Sequence, residues 1–262
     1  MSTVFGQLRY GGAHWRRIDL YSPGPPPGGP GGPGAPPRPA PGVVLVHGGF
    51  WRHERTAQDL EPLACALVTR GYRVAVVEYR PCWDQGAWPA AAEDCRDALA
   101  ALAGHDARWR DAVLVGHSAG AHLLLSALAG SGAGARVLLL APVAVPAEAA
   151  RLGLGQGAAE GFLAAHLKAG GRYEDATPRL APGDVEAASL VVAGSDQAVP
   201  AALTDHQYGW LADQGVPTRP VRVADARHMH LVNPERPAYG TVLRELDRLL
   251  HTRKEDDDDM DR

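Results

Sequence analysis

Apolar residues follow two periods along this chain. Short unbroken apolar runs, of the kind that form strands buried on both faces, are VVLV, VAVV, AVLV, VLLLA and LVVA. Between them, apolar residues recur every three or four positions, as in 56–71, where Leu60, Leu63 and Leu67 share one helical face and Gly71 supplies a C-terminal cap. Alternation of buried strands with amphipathic helices predicts an α/β fold with a mostly parallel sheet covered on both sides.

Three segments break this alternation. Residues 23–42 are almost wholly proline and glycine, which predicts an exposed, mobile loop. Residues 146–182 lose the strand periodicity and predict a short helical lid over a pocket. The acidic residues 254–262 predict a disordered tail. The lid's expected inner face consists of Phe162, Leu163, His166 and Leu167. We expect residues 1–262 to form a single domain that includes these three segments.

The sequence GHSAG places Ser118 between an apolar strand and a helix-like stretch. A sharp strand-to-helix turn has room only for small residues, which explains Gly116, Gly120 and Ala119. Such a turn exposes the serine hydroxyl, while the N–H of Ala119 and the positive end of the helix face the negative charge that develops on a substrate carbonyl. The pattern predicts a nucleophilic serine, although the bare motif also occurs as a structural turn.

A second glycine motif follows the first central strand, in VVLVHGGFW at 43–51. Glycine lets the backbone approach a ligand closely, so the N–H groups of Gly48 and Gly49 are candidates to complete an oxyanion hole with Ala119. We assign the neighbouring Phe50 and Trp51, together with His117 beside the serine, as candidate substrate contacts. For Trp51, and more so for the similarly placed Trp83 and Trp88, core packing is the alternative.

A nucleophilic serine requires a base and a group that orients the base. Asp196 stands just past the apolar run at 189–193, where a carboxylate can orient an imidazole. Its competitors are less well placed: Asp184 precedes that strand, Asp205 falls in the next helix and Asp225 lies on the approach to the histidines. Downstream of Asp196, the candidate bases are His228 and His230, because His206 and His251 fall within predicted helices.

Composition narrows the function classes. A net charge of −4 with a pI near 6.2 gives no basic patch for nucleic acid. No apolar run approaches the ~18 residues of a membrane span, and the N-terminus lacks the pattern of a secretory signal. Three cysteines form neither an even framework nor a C-x-x-C pair, which fits reduced thiols in a cytoplasmic protein: Cys65, Cys82 and Cys95.

Metal and nucleotide chemistry are both disfavoured by the motifs. A metal site could in principle be formed by four histidines on separate loops, namely His47, His53, His117 and His122, but no H-E-x-x-H or similar ligand spacing is present. The glycines of the lid segment follow no strand and precede no Lys-Ser or Lys-Thr, so they do not form a phosphate loop. We therefore expect no metal and no cofactor, and we assign His47 to bracing the oxyanion loop by hydrogen bonding.

Four stretches of the chain resemble motifs of a known family. They are HGGFW at 47–51, the stretch at 78–99 that begins EYRP, GHSAGAHL at 116–123 and HMHLVNP at 228–234. Through them the chain resembles the α/β-hydrolase superfamily, and within it the kynurenine formamidase-like and hormone-sensitive-lipase-like esterases. The resemblance spans nearly all of 43–250 outside the lid. It implies Ser118 as nucleophile, Asp196 as orienting acid and His228 as base.

The chain departs from the family pattern in Ala193, in Met229 and in His230, of which the last two could reshape the pocket rim. The predicted function is a serine hydrolase that cleaves a small-molecule carboxylic ester through an acyl-enzyme. Cleavage of the formamide N-formylkynurenine by the same machinery is the first alternative. A non-catalytic binding protein that retains the fold is the second. Nucleic-acid and membrane partners are not expected, and the sequence sets no oligomeric state.

Overall fold

The computed structural model describes residues 3–24, 40–83 and 86–252 of the chain. Within them, eight strands form one sheet in the order β1-β2-β4-β3-β5-β6-β7-β8. The strands are β1 Thr3–Arg9, β2 Arg17–Pro23, β3 Gly42–Val46, β4 Arg73–Val77, β5 Val113–His117, β6 Ala135–Leu140, β7 Val185–Ala193 and β8 Thr218–Val223. The helices are α1 Glu61–Thr69, α2 Ala90–His105, α3 Ala119–Leu128, α4 Pro146–Arg151, α5 Ala158–Phe162, α6 Ala164–Lys168, α7 Ala201–Asp213 and α8 Ala238–His251.

The predicted mostly parallel sheet is confirmed. Strands β4, β3, β5, β6, β7 and β8 pair in parallel, and only β1 with β2 and β2 with β4 pair antiparallel among the described strands. The parallel strands therefore all end at one edge of the sheet. The loops after β3, β5, β7 and β8 meet at that edge, where open α/β sheets bind ligands.

Each central strand is buried along its whole length and sends alternate side chains to opposite faces. In β3, Val44 and Val46 pack with α2 and α3, whereas Val43 and Leu45 pack with α1 and α8. This period-two division of an unbroken apolar run explains why such runs predict strands covered on both faces.

The predicted helix at 56–71 is present as a 3₁₀ turn, Ala57–Leu60, that leads into α1. Leu60, Leu63 and Leu67 are all buried on its inner face. The chain then leaves the helix through Gly71, whose φ of +91° is a conformation that favours glycine.

Strand β1 is an element that the hydrophobic pattern did not predict. It lies at the edge of the sheet and pairs with β2 alone, and its Phe5 is exposed. An edge strand buries few side chains, so its sequence carries little of the apolar signal that marks the central strands. The opposite edge strand, β8, likewise has only exposed and partly buried residues.

The segment 146–182 is helical as expected, since it contains α4, α5, α6 and the 3₁₀ turn Tyr173–Ala176. Phe162 and Leu163 are fully buried, whereas His166 and Leu167 are partly exposed. Its role as a lid stays a prediction. Within the predicted loop 23–42, residues 25–39 lie outside the described residues, as does the predicted tail 254–262. None of the helices in the described ranges combines the length and apolarity needed to cross a bilayer.

Candidate active site

Ser118 sits in a strained turn between β5 and α3. Its φ of 52° and ψ of −123° are unfavourable for a residue with a side chain. Backbone hydrogen bonds hold it there: its own N–H donates to the carbonyl of Leu140 at 2.9 Å, and its carbonyl accepts the N–H groups of Val143 at 3.0 Å and Ala121 at 3.1 Å. The surroundings thus maintain a conformation that the residue alone would not adopt.

The two glycines of the motif are required by contacts with other backbone segments. A Cβ on Gly116 would lie 2.6 Å from the Cα of Ala121, and one on Gly120 would lie 2.3 Å from the carbonyl oxygen of Val46. Both distances are far inside van der Waals contact with atoms that cannot swing away. The small residues predicted around the serine are therefore what allows α3 to pack directly against β3.

Asp196 and His228 are joined by a hydrogen bond of 2.7 Å between Asp Oδ2 and His Nδ1. Asp196 follows β7, and His228 follows β8 and begins the 3₁₀ turn His228–Leu231. The other carboxylate oxygen, Oδ1, accepts the N–H groups of Ala198 at 2.8 Å and Val199 at 2.9 Å. Burial opposes ionisation of Asp196, but the hydrogen bonds from His228 and from these two N–H groups outweigh it and hold its pKa below the usual value.

This carboxylate determines which nitrogen of His228 can act as a base. An ionised Asp196 can only accept hydrogen bonds, so Nδ1 of His228 carries the proton that it donates. In the neutral ring, Nε2 is then free to accept a proton.

Ser118 and His228 line the same cavity, of about 210 Å³. The hydroxyl of Ser118 is buried and has no hydrogen-bond partner among the described residues. A hydrogen bond between the serine and the histidine is therefore not formed here, and such contacts often tighten only when substrate binds.

The predicted oxyanion loop follows β3 and wraps over the serine. Three successive residues have positive φ: Gly49 at 103°, Phe50 at 53° and Trp51 at 59°. A Cβ on Gly48 would lie 2.7 Å from the Cβ of Ser118, so the loop approaches the serine as closely as glycine permits. In the described part of the chain, the N–H groups of Gly48, Gly49 and Ala119 form no hydrogen bond, which leaves them available to a substrate oxygen.

A buried polar cluster supports this loop from below. Nδ1 of His47 lies 2.9 Å from the carbonyl oxygen of Gly48, and Nε2 lies 3.0 Å from Oε1 of Glu78. The ring of His47 stacks on that of Tyr79, with 4.2 Å between the ring centroids. Burial opposes ionisation of Glu78, but the hydrogen bond from His47, the N–H of Ala57 and the charge of Arg17 outweigh it and lower its pKa. His47 therefore lies within hydrogen-bond distance of both the loop backbone and Glu78, as the predicted bracing requires.

Glu78 is a residue of this cluster that sequence reasoning did not single out. It comes directly after the apolar run of β4. The same signal, a carboxylate just past a buried strand, selected Asp196, and it would have found Glu78 as well.

Of the three predicted substrate contacts, two line the cavity of Ser118 and one does not. Phe50 and His117 line the cavity of Ser118. Burial, followed by the nearby charge of His228, lowers the pKa of His117 well below its usual value, so this ring is neutral at pH 7. Trp51 is 1% exposed, stacks on Phe162 at 4.8 Å and is absent from the cavity wall, so core packing accounts for its position.

Two of the alternative acids, Asp184 and Asp205, occupy structural positions. Asp184 is buried and accepts the N–H groups of Gly130, Gly132 and Ala181, and Asp205 lies on α7 in an ion pair with Arg222. Within the described residues, no three His, Cys, Asp or Glu side chains converge in a way that could hold a metal ion. The predicted oxyanion, acid and base residues, by contrast, all lie at the sheet edge that carries Ser118.

This architecture is the α/β-hydrolase fold, as predicted. Esterase B from Lactobacillus rhamnosis superposes with a TM-score of 0.71 at 18% identity, over 98% of this chain and 89% of that chain. A bacterial heroin esterase gives 0.66 at 17% identity over 95% and 84%, and esterase LipW from Mycobacterium marinum gives 0.65 at 22% identity over 95% and 81%. Identities this low establish the fold alone.

Sequence comparison adds one similarity to a family. Residues 33–138, which include β3, the oxyanion loop and the serine turn, match the family model BD-FAE. No curated protein sequence matches the chain significantly. The narrower resemblance to kynurenine formamidase-like or hormone-sensitive-lipase-like esterases stays a prediction.

Proposed function

We propose that the protein is a serine hydrolase that cleaves small carboxylic esters through an acyl-enzyme on Ser118. The observation that carries the proposal is the 2.7 Å hydrogen bond between Asp196 and His228 on the rim of the cavity that Ser118 lines. A serine in a strained turn, a base with one nitrogen free and an orienting carboxylate are the parts that acyl transfer needs.

In this reaction, Nε2 of His228 removes the hydroxyl proton of Ser118 as the oxygen attacks the ester carbonyl. The N–H groups of Gly48, Gly49 and Ala119 stabilise the resulting oxyanion, and each such donor is worth about 2.7–4 kcal/mol of barrier. His228 then gives its proton to the leaving alcohol. Water, activated by the same histidine, hydrolyses the acyl-enzyme and restores the serine.

The cavity supports a small group next to the serine. Its volume of about 210 Å³ is below the ~300–1,000 Å³ of most ligand pockets. Similar solved structures are named as esterases, which favours an ester as the substrate.

Formamide cleavage is the second candidate. The HGGFW and GHSAGAHL motifs, through which the chain resembles kynurenine formamidase-like enzymes, favour it. The same nucleophile, base and oxyanion donors would attack a formyl carbonyl and release an amine.

Steady-state hydrolysis of p-nitrophenyl acetate and of N-formylkynurenine compares the two candidates, with labelling by a serine-directed fluorophosphonate in parallel. We expect turnover of the ester, labelling of the wild type, and loss of both in Ser118→Ala, with turnover reduced by on the order of 10⁶ if the behaviour of known triads applies. An unlabelled wild type without hydrolytic activity would indicate a non-catalytic binding protein instead.

A further inference from the structure

A second cavity, of about 340 Å³, adjoins the cavity of Ser118. The two share Asp59 and Met229 as wall residues. The remaining walls of the second cavity are Pro62, Val232, Asn233, Pro234 and Glu235. Asp59 and Met229 therefore form the boundary between the two cavities.

Met229 forms the movable part of this boundary. It is 42% exposed, and its unbranched side chain has three rotatable bonds. Asp59, on the other side, is held by an ion pair with Arg55 at 3.1 Å and by the N–H of Thr56 at 3.3 Å. Asp59 is thus held in place, whereas Met229 has the freedom to change rotamer.

The position of the base indicates which part of an ester enters the second cavity. His228 must lie beside the leaving oxygen in order to protonate it. Met229 is the next residue in the same 3₁₀ turn and lines both cavities, which places their boundary beside the base and so on the leaving-group side of the serine. The oxyanion loop lines the first cavity but contributes no residue to the second.

The walls of the second cavity define the chemistry of the group that it accepts. Pro62, Val232 and Pro234 offer apolar surface, and the side-chain oxygen of Asn233 accepts the N–H of Glu235 at 2.9 Å, which leaves its NH₂ group to face an uncharged oxygen of the substrate. The charged groups on the wall are the carboxylates of Asp59 and Glu235, and no cationic side chain of the described residues lines it. Such walls favour an uncharged alkyl or aryl group and disfavour an anionic one.

We propose that this second cavity is the leaving-group subsite, which takes an uncharged alkyl or aryl alcohol larger than the acyl group beside Ser118, and that Met229 controls entry to it. The inference rests on the proposed ester hydrolysis and specifies its substrate class, namely esters of short acids with larger alcohols.

Two ester series separate the two sides of the site. In one, the acid is acetate and the alcohol grows from methanol to hexanol; in the other, the alcohol is methanol and the acid grows from acetate to octanoate. The kcat/KM of each ester is measured by titrating the acid released. Pro62→Trp fills the second cavity from the exposed first turn of α1, and Glu61→Trp is the matched control one residue earlier, outside the cavity wall.

Pro62→Trp is expected to lower the ratio of kcat/KM for hexyl acetate to that for methyl acetate by about tenfold or more, because several methylenes lose their contacts. The corresponding ratio in the methyl ester series should stay within about twofold. Met229→Ala should raise the alcohol ratio, since it opens the passage. All acetates form the same acetyl-enzyme, so the deacetylation rate after a p-nitrophenol burst should not change in Pro62→Trp.

The proposal is overturned if the alcohol ratio is unchanged in both Pro62→Trp and Met229→Ala, or if the acyl ratio changes instead. It is also overturned if Glu61→Trp lowers the alcohol ratio as much as Pro62→Trp does. A wild type that is labelled by fluorophosphonate and hydrolyses esters, but shows one of these results, refutes the subsite alone. A wild type that is neither labelled nor active refutes the proposed function and the subsite together.

Discussion

Replacing Asp196 with asparagine tests the role of the carboxylate almost isosterically. In the wild type, Oδ2 accepts the Nδ1 proton of His228 while Oδ1 accepts two backbone N–H groups. If the amide oxygen of the introduced asparagine takes the place of Oδ1, both backbone bonds persist and the NH₂ group faces Nδ1. If the amide is reversed, its NH₂ group faces two donors. The first arrangement keeps more hydrogen bonds and should prevail.

The consequence for His228 follows from this arrangement. An NH₂ group facing Nδ1 favours the ring form that carries its proton on Nε2, and that form cannot accept the proton of Ser118. The corresponding change in a serine protease triad lowers kcat by about 10⁴. We expect a loss of the same order, which corresponds to about 5.4 kcal/mol of activation free energy. Stability should change much less, by about 1–3 kcal/mol, because the backbone bonds persist.

The assay is the kcat/KM for p-nitrophenyl acetate near neutral pH, together with the rate of fluorophosphonate labelling and the urea midpoint. Asp205→Asn is the matched control: it removes an exposed carboxylate paired with Arg222 and should leave activity within about twofold of the wild type. If Asp196→Asn retains activity within about tenfold of the wild type while remaining folded, Asp196 does not orient the base and the assignment is wrong.

Three further changes test the packing and the electrostatics of the fold. Gly120→Ala should lower the free energy of unfolding by about 1–3 kcal/mol, because the added Cβ meets the backbone at the end of β3. Gly104→Ala, on open helix surface, should raise the free energy of unfolding by about 0.5–1 kcal/mol. Urea unfolding compares the two variants, and equal effects would contradict the steric argument. Trp51→Ala should lower the free energy of unfolding, measured in the same way, by about 3–5 kcal/mol, because the buried ring packs on Phe162. A change in KM without loss of stability would indicate instead that Trp51 contacts the substrate. Burial raises the pKa of Asp184, but its hydrogen bonds from backbone N–H groups outweigh burial, so the pKa in the folded protein is lowered. Ionisation of Asp184 therefore stabilises the fold above pH 3.8, the ordinary pKa of the group, and this contribution is lost as the pH falls through the lower folded pKa. The difference in Tm between wild type and Asp184→Asn should therefore shrink between pH 7 and acid pH, and a difference that grows would contradict the sign.

Much of the fold could be predicted from sequence because its central strands are buried on both faces. Their unbroken apolar runs, and the amphipathic helix with Leu60, Leu63 and Leu67, are confirmed. Strand β1 was missed because an edge strand with an exposed Phe5 leaves a weak pattern. Local periodicity records burial, so it fails where an element buries little.

The candidate site was predictable where chemistry and backbone geometry require particular residues. Glycine is required at 116 and 120 because a Cβ there would lie 2.6 Å and 2.3 Å from neighbouring backbone atoms, and Asp196 is marked by its place just past a strand. The packing of Trp51 against Phe162, and the meeting of two cavities at Met229, depend on how distant loops fold over the sheet edge. No short stretch of sequence records those contacts.

The most direct measurement of the central claim is the mass of the protein after a brief reaction with p-nitrophenyl acetate, stopped with acid and followed by peptide mapping. The account predicts a single acetyl group on the hydroxyl of Ser118, formed during the burst of p-nitrophenol and absent from Ser118→Ala. Acetyl groups on other residues alone, or rapid turnover that continues in Ser118→Ala, would show that the reaction does not pass through this serine.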